Sequence, residues 1–176
     1  MANTWRAVAT GITWATAAKS MLRVFNASGS GVVLRVYRIW VQNNQTVAVS
    51  GVLPEVRIVR LSTTGSGGVT VTPVAHDTSS TALPAQVTSA SGDTTPGTID
   101  ATFRRALFSG DEPIVGGAAT NNFETLVPLC VMWDGGYDDT NVEPIVLREG
   151  FGVSVYCPGI ASAAGNADFI IEFTST

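Results

Sequence analysis

The chain has few of the residues that carry most protein chemistry. Its 176 residues include one histidine, His76, two cysteines, Cys130 and Cys157, and one lysine, Lys19. A His- or Cys-based metal site needs several such ligands at close spacing, and these counts do not supply them. A Ser/His/Asp triad could draw only on His76, which lies among Ser and Thr with no G-x-S-x-G elbow in the chain. Two cysteines are too few for a disulfide framework, and a chain of this length does not need one. Both lie in strand-like runs, LVPLCVMW and GVSVYC, and read as buried thiols acting as small hydrophobes, with a disulfide between them as the alternative if the two strands are neighbours. No stretch approaches ~18 consecutive apolar residues, the length expected of a membrane span. The opening MANTWRAVATGITWATAAKSM has no basic start followed by an unbroken apolar core, so it does not read as a signal peptide.

Charge is scarce as well. Charged residues make up 14% of the chain, against about 25% in ordinary globular proteins. Such a surface cannot rely on repulsion to stay monomeric, and it reads as partly covered by neighbours. Nine of the ten basic residues are arginine, the cation better suited to planar, bidentate contacts at interfaces. Residues 1–60 hold seven basic residues against one acid, Glu55, whereas residues 61–176 hold three against thirteen acids. The arginines are spread singly along strands, which favours cross-strand pairing between the two halves over a nucleic-acid face.

The acidic clusters Asp134, Asp138 and Asp139 in WDGGYDDTN, and Asp111 with Glu112 in SGDEP, do not have EF-hand spacing and read as turn chemistry. Nothing marks Glu124 and Asp134 as a glycosidase pair. The Gly-rich loops lack the lysine and following helix of a phosphate cradle. The sequence therefore predicts no catalytic set, no metal ligands and no cofactor.

What is abundant is β-structure. Period-2 alternation is strongest over residues 20–62. SMLRVFNAS and VVLRVYRIWVQ read as a hairpin across a Gly/Ser turn. Strict alternation in the second places Arg35, Tyr37 and Ile39 on one face and Leu34, Val36, Arg38 and Trp40 on the other. VLPEVRIVRLS and VTVTPVA follow as strands, and residues 76–99 read as one long loop. DATFRRALFS, FETLVPLCVMWD, EPIVLREG, FGVSVYCPG and ADFIIEFTS complete nine to ten strands with little helix. Long connections between them favour a single all-β sandwich of jelly-roll or Greek-key type. Residues 1–17 read as an N-terminal arm or a first strand, and residues 18–176 as the sandwich domain.

The blocks MLRVFNASGSGVVLRVYRIWVQN, PEVRIVRLS, PVAHDTSSTALPAQV and PIVLREGFGVSVYCPG resemble virion structural proteins of tailed bacteriophages. They look most like capsid decoration or cement proteins, or small head and tail accessory proteins. The resemblance implies a sandwich or jelly-roll subunit that binds the outside of an assembled shell. Its implied partners are the major capsid protein or other virion proteins, together with further copies of itself, and neither nucleic acid nor membrane. Its implied location is the virion, after synthesis in the host cytoplasm. A glycan- or receptor-binding module of a head fibre or tail tip is the alternative. Within the N-terminal segment, Trp5 is expected as an interface anchor beside Arg6, and Trp14 as a core residue, while residues 76–99 are expected to face solvent or a neighbouring copy.

Overall fold

The computed structural model describes residues 3–44, 54–107, 130–135, 143–160 and 165–176, and these contain twelve strands and no helix. The strands are β1 (Asn3–Thr13), β2 (Lys19–Asn26), β3 (Leu34–Asn43), β4 (Glu55–Leu61), β5 (Val69–Thr70), β6 (Val74–Ala75), β7 (Val87–Asp93), β8 (Ile99–Leu107), β9 (Cys130–Asp134), β10 (Ile145–Leu147), β11 (Phe151–Cys157) and β12 (Asn166–Ser175). The longer ones are rich in Val, Ile, Phe and Thr, whose branched or flat side chains pack well on a pleated surface. The count exceeds the expected nine to ten because short strands flank the longer ones.

The strands form two antiparallel sheets. The first runs β10-β3-β12-β1-β6, with β9 also paired to β3, and the second runs β5-β7-β2-β11-β4-β8. The pairing is nested. β1 pairs with β12, β2 with β11, β3 with β10 and β9, and β4 with β8. Each of the first four strands lies in the opposite sheet from the one before it. The expected β2–β3 hairpin therefore does not form. The turn around Gly29 and Gly31 instead carries the chain between sheets, where both backbone N–H groups donate to the Glu149 carboxylate at 3.0 and 2.8 Å.

One core lies between the sheets. Ala7, Leu34, Val36, Ile39, Phe169 and Phe173 enter it from the first sheet, and Leu22, Val24, Ile58, Val153 and Val155 from the second. Trp14 is 1% exposed and meets Phe169 edge-on at 5.6 Å, as expected of a core residue. A smaller cluster of Phe25, Val59 and Leu61 is also buried.

Two further expectations change. Residues 76–99 are not one loop, because Val87–Asp93 forms β7 and pairs along β2. The VTVTPVA segment splits around Pro73 into β5 and β6, which lie at the edges of different sheets. It thus crosses from one sheet to the other as a strap.

Candidate functional site: the outer face of the first sheet

The N-terminal segment is a strand, and its side chains alternate across the sheet. Trp5, expected as an exposed anchor, is 7% exposed and belongs to the core. Arg6 points the other way, with a side chain 42% exposed. Of the two residues expected at an interface, only Arg6 lies on a surface.

The face Arg6 occupies depends on an irregularity in β3. Glu172 pairs with Arg38, but the next residue, Phe173, pairs with Val36, so Tyr37 is an extra residue in the ladder. A bulge of this kind reverses the alternation beyond it. Leu34 and Val36 before it, and Ile39 and Val41 after it, are all fully buried. Strict alternation would have split these four between the faces. The same shift gathers Arg35, Arg38 and Trp40 on the outer face, where strict alternation separates Arg35 from the other two.

Cross-strand register then builds rows on that face. One row runs Arg6–Glu172–Arg38–Asp134 across β1, β12, β3 and β9. It alternates in charge, and the ion pairs along it measure 3.9, 3.7 and 3.8 Å. His76 reaches the same Glu172 carboxylate at 3.9 Å from the end of β6, while its backbone N–H donates to the Thr4 carbonyl. The neighbouring row is apolar and runs Val8–Ile170–Trp40–Val131 on the same four strands. Its ends are open, with Val8 37% and Val131 43% exposed. The Arg38 guanidinium lies 5.3 Å from the Trp40 ring centroid, a cation–π distance. Burial raises the Tyr37 hydroxyl pKa, with Glu172 adding to the effect, while Arg38 and a hydrogen bond with Thr4 oppose it.

Three rows of four residues, the third being Thr4–Thr174–Arg35–Val146 with β10 in place of β9, span about 19 Å by about 20 Å, on the order of 400 Å². This plan area is about half the ~800 Å² that each partner contributes to a standard protein interface, and its centre is less open than its ends, with Ile170 5% and Glu172 8% exposed. The side chains are of the types that dominate binding energy at such surfaces, Trp, Tyr and Arg.

Of the acidic residues singled out earlier, Asp134 serves this row, whereas Asp111, Glu112, Glu124, Asp138 and Asp139 lie outside the described residues. Cys157 is a free, buried thiol in β11, and burial raises its pKa. The side chain of Cys130 also lies outside the described residues.

Sequence reasoning singled out Arg6, which lies on this face, but not Glu172, Tyr37, Trp40 or the place of His76 beside them. The available signal was β3 itself, a largely apolar strand with one arginine on each face under strict alternation. A single bulge reconciles both arginines with one core face. No family model matches the chain, and neither does any curated protein or solved structure.

Proposed function

We propose that this chain is a non-enzymatic structural protein of a bacteriophage virion that decorates and stabilises the capsid exterior. The observation that carries this reading is the outer face of the first sheet, a charge-compensated row beside an apolar row with open ends. Such a face suits docking on another protein surface. Arg6, Arg38, Trp40, Val8 and Val131 are the contact residues, and the major capsid protein is the partner.

Three further features support it. The nested pairing across two antiparallel sheets supports a jelly-roll reading, an architecture used in viral capsids among other settings. Most charged groups of the second sheet pair with one another: Arg23 with Asp93, Arg57 and Arg105 with Glu55, and Arg60 with Asp100. The small patch area suits contacts that are weak singly and firm when repeated over a lattice.

The test uses shells of the virus that carries this gene, assembled without the chain. Purified chain should co-sediment with them. Val8→Asp and Val131→Asp, both at exposed positions, should lower binding at least tenfold with little change in thermal unfolding. Arg6→Ala should weaken it about threefold to tenfold. Trp5→Ala should instead cost about 3–5 kcal/mol of stability, as core aromatics do. Wild-type chain that ignores the shells, or Asp variants that bind as wild type does, would overturn the reading.

A further inference from the structure

The strap between the sheets forms one wall of a second feature. An open groove of about 710 Å³ lies between the strap, the Thr64–Gly68 turn and residues 82–85, with Trp5, Arg23 and β7 beneath. The volume is within the range of small-molecule sites. We propose that this groove binds a neutral, hydroxyl-rich ligand, a saccharide, independently of any role in assembly.

Electrostatics sets the charge of the ligand. Arg23 is the only charged residue in the lining. Its Nε donates to Asp93 Oδ2 at 2.5 Å, and Asp93 is fully buried behind it. The guanidinium charge is thus already met, and an anionic ligand would have to approach that carboxylate.

Hydrogen bonding sets the polarity. The other guanidinium contacts, Nη1 to Thr88 Oγ1 and Nη2 to the Gly65 carbonyl, are both long at 3.4 Å, and the fork has further N–H groups to donate. Trp5 Nε1 and Ser89 Oγ are buried without a hydrogen-bond partner among the described residues. The hydroxyls of Thr70, Thr72 and Thr88 add donors and acceptors at exposed positions, and Val71, Leu83 and Pro84 supply apolar surface for sugar C–H groups. A peptide strand fits less well, because β5 offers only two residues of edge and Pro73 has no N–H to extend a ladder.

The test applies the full chain to an array of neutral and sialylated oligosaccharides, followed by calorimetric titration with the neutral glycan that gives the strongest signal. Binding to neutral glycans is expected. Thr72→Trp and Ala82→Trp, which fill the groove from exposed positions, should weaken it at least tenfold without shifting thermal unfolding. An array with no neutral glycan bound, binding confined to sialylated glycans, or titrations unchanged in both groove-filling variants would each overturn the proposal.

Discussion

Removing the Asp93 carboxylate is the sharpest test of the energetics of the second sheet. Asp93 is fully buried and Arg23 is 8% exposed, so neither charge is well hydrated. Among the described residues Asp93 Oδ1 has no partner, and the carboxylate accepts its hydrogen bond from Arg23 through Oδ2. The turn above is fitted to this pair, since a Cβ on Gly65 would come within 2.5 Å of Asp93 Oδ2. Asp93→Ala leaves the guanidinium buried without a counter-charge, a change that typically costs about 3–5 kcal/mol. Against a total stability of roughly 5–15 kcal/mol, this is a large fraction. For a domain of this size it corresponds to a fall in Tm of roughly 10 °C. Arg23→Met alone should also be costly, because it strands the carboxylate. The double variant should recover much of the loss, because a buried pair contributes little relative to apolar replacements. Urea unfolding of the four proteins, followed by tryptophan fluorescence, gives the coupling energy. A single Asp93→Ala cost below about 1 kcal/mol, or a double variant as unstable as the sum of the singles, would refute this account.

The Glu55 carboxyl accepts hydrogen bonds from Arg57 and Arg105, which hold its pKa down at about 2. A depressed carboxylate stabilises the fold above its unfolded value of about 4.3, and the contribution fades as pH falls from there to about 2. An NMR titration should place the Glu55 midpoint near the lower figure, and Arg105→Ala should raise it. For Cys157, burial and the raised thiol pKa predict slow reaction with a thiol reagent in the native state and fast reaction on unfolding, with Cys157→Ala costing about 1–3 kcal/mol through lost packing.

The sequence made the fold class legible because burial imposes a period of two on every long strand, and residues 20–62 carry that period strongly. The departures have local causes. β7 reads as loop because its sequence, VTSASGD, is small and polar, yet Ser89, Ala90 and Ser91 are buried where β7 lies between β2 and β5. The β2–β3 hairpin looked natural because a Gly/Ser turn joins two strands, but such a turn serves equally well to change sheets. Trp5 reads as available to a partner because its neighbours are small. Those neighbours, Ala7 and Ala9, are small because they too face the core. The outer-face rows depend on pairings between residues some ninety or more positions apart, which leave no local trace, and on one inserted residue, Tyr37, whose only local sign is an arginine on each face of β3 under strict alternation.

The pairing of early strands with late ones has a kinetic consequence. β12 occupies the middle of the first sheet, between β1 and β3, and β11 lies between β2 and β4 in the second. During synthesis, β1 to β4 emerge without the strands that belong between them, and Phe169, Ile171 and Phe173 reach the core last. The nascent chain must therefore wait with several apolar strand edges uncovered. Long-range pairing of this kind slows folding and exposes intermediates to aggregation. Premature termination before residue 166 would remove the central strand of the first sheet rather than an edge, and should yield a chain that collapses without a unique fold.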